Sequence, residues 1–305
     1  MMAPEWIAVD WGTSHLRAFA MQGTQALAEV SSDNGMARLA RDQFEPALLD
    51  LITAWLSGPV DIVACGMVGS RQGWHEAPYR TVPCTPLDPS TLVRVRTQDA
   101  RLRMSIVPGL KQPDPADVMR GEETQIAGAL ALLPGFDGVL CLPGTHSKWV
   151  HVSAGEVVSF QTCMTGELYA LLSQQSVLRH GMQGDGWDDT AFDTALSDAL
   201  SRPERLGTRL FSLRAEGLLN NLSPIAAKAR LSGLLIGVEL AAIRPYWLGQ
   251  PVAIVGADRL AALYARALAA QGAVPRLLSV HDTTLAGLAF ARRTAHQAVA
   301  SGAAP

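Results

Sequence analysis

Ile7-Ala8-Val9-Asp10-Trp11-Gly12-Thr13-Ser14-His15-Leu16-Arg17-Ala18-Phe19-Ala20 is an apolar run that ends in an acid, turns through Gly-Thr-Ser and resumes as an alternating run. Two such runs joined by a short Gly-containing turn make a β-hairpin. Its turn presents backbone N–H groups and two hydroxyls beside a carboxylate. Successive N–H groups of a turn cradle phosphate oxygens, and a neighbouring carboxylate suits a magnesium ion held through water. The stretch therefore predicts the first half of a nucleotide site. Gly12, Thr13 and Ser14 would meet phosphates, and Asp10 would be the metal-side acid.

The pattern occurs twice. Residues 139–142 form an apolar strand, Pro143-Gly144-Thr145-His146-Ser147-Lys148 is the turn, and residues 149–152 resume the alternation. Gly144-Thr145 stands where Gly12-Thr13 stood, and Leu142 stands where Asp10 stood. A third short strand follows each hairpin, at 25–30 and at 156–160. Two such units half a chain apart indicate a duplicated, two-lobed protein. The expected lobes are 1–135 and 136–293, with a cleft between them and a frayed Ala- and Ser-rich tail at 294–305. Gly144, Thr145, Ser147 and Lys148 would form the second phosphate turn.

Around the first hairpin the order is β-β-β-α-β, with helical spacing at 42–56 and a buried strand at 60–65, which is an α/β pattern. Residues 66–86 then form a long irregular segment carrying Ser70, Arg71, Trp74, His75, Glu76 and Tyr79 among glycines. A loop of that length inside a domain is usually functional, and its donors suit a small polar substrate. Glu122-Glu123 opens an apolar helix. Helix capping alone accounts for two acids there, while a carboxylate in that place also suits proton abstraction. The acidic Gly-rich loop at 181–189 does not follow the order of a calcium loop and is read as capping and connection. A strand at 251–255 runs into Gly256-Ala257 and a helix, a connection able to pack against adenine and ribose.

The chain has 305 residues, 48% of them apolar and 17% charged, with a net charge of −3. That composition supports large cores and offers no nucleic-acid footprint. The scattered cysteines Cys65, Cys84, Cys141 and Cys163 form no C-x-x-C pair and suit a reducing cytoplasm. The apolar stretch 231–247 carries Glu239 and Arg244, so it is expected as a buried helix and no membrane association is expected. Walker A, G-x-G-x-x-G, H-E-x-x-H and G-x-S-x-G motifs are all missing from the chain.

The two-lobed plan resembles the actin, sugar-kinase and heat-shock-ATPase superfamily, with its ribonuclease H-like lobes. In detail the chain resembles the 2-dehydro-3-deoxygalactonokinase family. The residues that carry this are GMVGSRQGWHEAPY at 66–79, RGEETQ at 120–125, LPGTHSKW at 142–149, TCMTGELYAL at 162–171 and VAIVGADRLAAL at 252–263. The resemblance implies ATP- and Mg²⁺-dependent phosphorylation of 2-dehydro-3-deoxy-D-galactonate at its 6-hydroxyl, in galactonate catabolism. It places Gly12, Thr13 and Ser14 in one phosphate loop and Gly144, Thr145 and Ser147 in the other. Gly256 and Ala257 fall in the adenosine segment, with Gly-Ala replacing the superfamily's usual Gly-Gly. The placement of Glu122-Glu123 resembles that of the catalytic glutamate of exopolyphosphatases and favours Glu123 as base, with Asp10 the rival and Glu122 open. For the sugar acid, Arg71 would grip the carboxylate, and Ser70, Trp74 and Tyr79 would line the chain. Open alternatives are another 2-keto-3-deoxy acid such as 2-dehydro-3-deoxygluconate, a phosphohydrolase on the same plan, and a non-enzymatic ATP-binding regulator. A homodimer is also open.

Overall fold

Alternation at the start of the chain becomes a sheet whose centre is buried on both faces. A computed structural model describes residues 3–300, with side chains as far as Arg292. The chain divides into two units, Met1–Asp137 with Val152–Ser159 and Leu278–Pro305, and Gly138–His151 with Phe160–Leu277.

The first unit contains β1 (Trp6–Trp11), β2 (Leu16–Gln22), β3 (Gln25–Ser32), α1 (Phe44–Ile52), β4 (Val60–Gly66), β5 (Arg80–Thr81), β6 (Val93–Arg94), β7 (Leu102–Ile106), β8 (Leu110–Gln112), β9 (Asp117–Met119) and α2 (Glu122–Leu132). Its main sheet runs β3-β2-β1-β4-β7-β6, and β5-β8-β9 make a small second sheet. β1 pairs antiparallel with β2, setting Asp10 opposite Arg17, and parallel with β4, setting Asp10 opposite Cys65. β7 continues the parallel run beside β4. β1 reads as an unbroken apolar run because it is covered on both sides, whereas β3, at the sheet's edge, alternates between exposed and half-buried residues. Ile7, Val9 and Trp11 face Phe44, Leu48 and Ile52 of α1. Trp6 and Ala8 face Ala127 of α2 and Leu288 of the long final helix, Val280–Ala300. Of the tail expected at 294–305, the backbone is helical as far as Ala300, and residues 301–305 lie outside the described residues.

The second unit repeats the arrangement. β10 (Gly138–Leu142), β11 (Ser147–Ser153) and β12 (Glu156–Cys163) precede α3 (Thr165–Gln174), α4 (Asp189–Ser201), α5 (Leu206–Leu219), α6 (Pro224–Ala242) and α7 (Arg244–Trp247). β13 (Val252–Gly256), α8 (Asp258–Ala269) and β14 (Arg276–Ser279) follow, and the final helix, α9, belongs to the first unit. The sheet order is β12-β11-β10-β13-β14, the counterpart of β3-β2-β1-β4-β7. β10 and β13 are parallel, as β1 and β4 are. α6 is buried along most of its length, as its apolar run predicted. Among the described residues, no helix is long and apolar enough to cross a membrane.

Candidate active site

In the first unit the candidate residues gather where the parallel strands β1 and β4 end, the edge at which open α/β sheets bind ligands. The Gly12–His15 turn closes with the Gly12 N–H donating to the His15 carbonyl at 2.9 Å. Met36 and Ala37 donate to the Gly12 and Thr13 carbonyls, each at 3.0 Å. This clamp requires Gly35, because a Cβ there would stand 2.2 Å from the Ser14 carbonyl carbon and 2.4 Å from the Thr13 oxygen. Thr13 and Ser14 are exposed, and among the described residues their N–H groups have no protein acceptor. Asp10 sits behind them. Its Oδ2 accepts from Arg17 Nη2 at 2.8 Å, and its Oδ1 lies 4.0 Å from the Cys65 thiol. Burial raises the Asp10 carboxyl above its ordinary value, and the Arg17 guanidinium opposes that rise.

Two glycines bring the start of α2 against this edge. Gly66 (φ +92°) ends β4, where a Cβ would stand 2.7 Å from the Trp11 carbonyl, and Gly121 (φ +104°) packs on Gly66. Both carboxylates at the helix start cap it, Glu122 Oε2 accepting from the Arg120 N–H at 3.0 Å and Glu123 Oε2 from the Gly121 N–H at 2.7 Å. The Thr124 hydroxyl donates to Glu123 Oε1 at 3.0 Å. Glu122 is half-buried, whereas Glu123 is completely enclosed, and burial with the nearby Glu122 charge pushes its pKa up to about 8. The charges of Asp10 and Glu123 both act on the buried Cys65 thiol, which burial raises further, so the three groups form one cluster.

The loop after β4 divides the expected substrate residues. Trp74 is a packing residue, its ring 6.2 Å from Trp11 and 6.4 Å from Phe44. Arg71 is exposed, and its carbonyl accepts from Arg41 Nη2 at 2.8 Å. Ser70 is buried, with no hydrogen-bond partner for its hydroxyl. Tyr79 lies under the guanidinium of Arg120, 4.3 Å from Cζ to ring centroid. Arg120, in the RGEETQ stretch, is a residue the sequence alone gave no role.

In the second unit, the turn after β10 exposes Thr145 and half-exposes Gly144. The Thr145 carbonyl accepts from the Glu167 N–H at 2.9 Å, and His146 Nε2 meets Glu167 Oε2 at 2.5 Å. Ser147 and Lys148 do not share that exposure, because the start of β11 is covered on both of its faces. The Ser147 hydroxyl is 2.9 Å from that of Tyr264, which donates to Glu239 Oε2 at 2.7 Å. Trp149 Nε1 donates to Glu239 Oε1 at 2.7 Å, and Thr165 donates to the same carboxylate, whose pKa burial raises. The one acid deep in the apolar stretch 231–247 was the available sign of this network. A cavity of about 590 Å³ opens beside the turn, and its wall includes Gly144, Thr145, Gly166, Trp187, Ser232, Ile236, Ala257 and Arg259. Its size and apolar wall suit a nucleoside. Gly256 is buried, and a Cβ there would press on Pro143 at 2.9 Å, while Ala257 reaches the cavity. The acidic loop caps a helix, Asp188 Oδ1 accepting from the Ala191 N–H at 2.9 Å. Among the described residues, no group of three or more His, Cys, Asp or Glu side chains could hold a metal by itself.

The family model described as 2-keto-3-deoxy-galactonokinase matches residues 10–291. The chain is 38% identical to the probable 2-dehydro-3-deoxygalactonokinase of Rhizobium meliloti, over 94% of this chain and 96% of that protein. It is 37% identical to the 2-dehydro-3-deoxygalactonokinase of Escherichia coli, over 89% of this chain and 91% of that one. A crystal structure of a candidate 2-dehydro-3-deoxygalactonokinase from Sinorhizobium meliloti superposes with a TM-score of 0.88 at 37% identity, covering 95% of this chain and 98% of that one. An activator of 2-hydroxyisocaproyl-CoA dehydratase from Clostridium difficile, with bound ADPNP, matches at a TM-score of 0.54 and 11% identity over 98% of each chain, a likeness of fold alone. The fold is that of the actin-like ATPases and sugar kinases.

Proposed function

The chain belongs to the 2-keto-3-deoxy-galactonokinase family, and from that premise we propose that it transfers the γ-phosphoryl group of ATP to the 6-hydroxyl of 2-dehydro-3-deoxy-D-galactonate. The kinase draws on cytoplasmic ATP. The observation that carries the chemistry is Glu123, a completely buried carboxyl with its pKa pushed up to about 8, whose charge acts on the same Cys65 thiol as that of Asp10. General bases work best when their proton affinity lies near the operating pH.

In the proposed reaction the acceptor hydroxyl takes the place of the Thr124 hydroxyl at Glu123 Oε1 and gives that oxygen its proton. The hydroxyl oxygen bonds to the γ-phosphorus as the bridge to the β-phosphate breaks, and ADP leaves. Phosphoryl transfer of this kind depends on alignment and charge neutralisation more than on covalent chemistry. The free N–H groups of Thr13 and Ser14 bind phosphate oxygens. The second unit's cavity takes the adenosine.

Asp10 fits Mg²⁺ as a single hard-oxygen group. One of its oxygens is held by Arg17, and the other lies 4.0 Å from the Cys65 thiol and, among the described residues, accepts no stronger hydrogen bond. An ion that keeps its waters and takes most of its ligands from phosphates needs no larger protein set. When bound, Mg²⁺ neutralises phosphate charge.

A coupled ADP-release assay over a panel of 2-keto-3-deoxy acids tests the reading. Turnover that requires a sugar acid supports it. Phosphate release that is indifferent to every acid would replace it with a hydrolase.

A further inference from the structure

The proposed chemistry leaves Arg120 without a task. Its side chain is 9% exposed, and among the described residues its guanidinium meets no carboxylate. Nη2 donates to the Ala77 carbonyl at 2.7 Å, while Nε and Nη1 are buried with no hydrogen-bond partner. A buried cation left this way is costly unless an anion completes it. The space around it is built. A Cβ on Gly69 would stand 2.9 Å from Nη1, so only glycine lets the guanidinium lie there. The next residue, Ser70, is 5% exposed, and its hydroxyl also lacks a partner. The nearest acid in sequence, Glu122, is turned to the Arg120 backbone N–H.

We propose that Arg120 and Ser70 together bind the 2-keto carboxylate head of the acceptor, the guanidinium taking the carboxylate and the hydroxyl donating to the ketone oxygen. This rests on the sugar-acid kinase reading, and it moves carboxylate recognition from the exposed Arg71 to Arg120. The half-exposed Tyr79 ring covers the guanidinium and gives way to the entering head group. A planar fork matches a carboxylate's two oxygens, and a site with buried donors of this kind rejects analogues that cannot answer them by 100-fold or more.

The test compares three acceptors of one chain length: the 2-keto acid, the 2-keto aldehyde in which C1 is uncharged, and the 2-hydroxy acid. Arg120→Gln and Arg120→Lys are expected to lower kcat/KM for the keto acid about 100-fold and to leave the aldehyde within about twofold, with KM for ATP unchanged. Ser70→Ala, which removes a hydroxyl without a partner and so keeps the fold, is expected to erase about tenfold of the preference for keto over hydroxy acid. Arg71→Ala is expected to leave all three acceptors unchanged. Equal losses on the acid and the aldehyde, or loss of acid preference in Arg71→Ala, would overturn the assignment. Should the Arg120 variants fail to fold, an unchanged keto preference in Ser70→Ala overturns it. If the wild-type enzyme turns over none of the acceptors while releasing phosphate from ATP, the kinase reading fails, which is a different outcome.

Discussion

Replacing Glu123 by glutamine should make this protein more stable and stop its catalysis. The Glu123 carboxyl has an ordinary value of 4.5 and is pushed up to about 8 in the folded chain. A carboxyl with a raised folded pKa binds more protons folded than unfolded, so its contribution is fully present below the unfolded value. It is lost as pH rises toward the folded value. The slope is about 1.4 kcal/mol per pH unit, so roughly 4 kcal/mol of wild-type stability drains away between about pH 5 and 8. Glutamine removes the titration and keeps the shape of the side chain. Its carbonyl can accept the Gly121 N–H, and its amide can donate to Thr124 Oγ1.

Urea unfolding of wild type and Glu123→Gln at pH 5, 6, 7 and 8 measures the effect. The stability difference should widen by about 1.4 kcal/mol per unit in favour of the variant and level off above pH 8. Other titrating groups cancel in the difference. Meanwhile kcat should fall by roughly 10²- to 10⁴-fold, the usual size of a general-base contribution, with KM for ATP unchanged. In the wild type, kcat/KM should climb with pH toward about 8 as Glu123 loses its proton. Parallel stability curves would refute the claim that Glu123 is buried at the cost of its charge. A stabilised variant with full activity would refute its role as base and direct attention to Glu122 or Asp10.

Four further outcomes follow from the geometry. Asp10→Asn should raise the Mg²⁺ concentration needed for half-maximal rate at least tenfold, read from initial-rate titrations, and an unchanged requirement would remove Asp10 from the metal side. Gly35→Ala must displace the turn it would touch at 2.2 Å, so urea midpoints should report about 2 kcal/mol of lost stability and kinetics a raised KM for ATP. Glu239→Leu strands the buried donors of Trp149, Tyr264 and Thr165, and about 4 kcal/mol should be lost in urea unfolding. Ala257→Trp places an indole at the mouth of the second unit's cavity and should raise KM for ATP tenfold or more without moving KM for the acceptor.

The hairpins and their repetition were legible because they are local. A period of two, a glycine and an acid are all visible within ten residues of Asp10, and the matching strand orders bear out the duplication. What the sequence withheld was which side chains meet across long separations. Ser147 follows Thr145 closely enough to be grouped with the phosphate turn, yet strand alternation sends its hydroxyl inward to Tyr264. Trp74 has the composition of a binding loop and becomes a wedge against Trp11 and Phe44. Arg120 lay in plain view beside the two glutamates, but its unanswered nitrogens exist only once Gly69 and Ala77 are folded against it.

The same distinction explains why the two hairpins diverged. Position 10 has Arg17 opposite it on one neighbouring strand and Cys65 on the other, so a carboxylate there is paired with a guanidinium on one side and lies beside a thiol on the other. Its counterpart Leu142 is buried at 4% exposure in an apolar strand, where an unpaired acid would be costly. The second unit instead spends its buried carboxylate on Glu239, whose three donors fasten β11, α3 and α8 behind the turn. One acid is left with an oxygen that a metal can use, and the other is satisfied completely. The two halves therefore carry different chemistry on one topology, and Asp10→Asn and Glu239→Leu should separate it, the first acting on metal dependence and the second on stability.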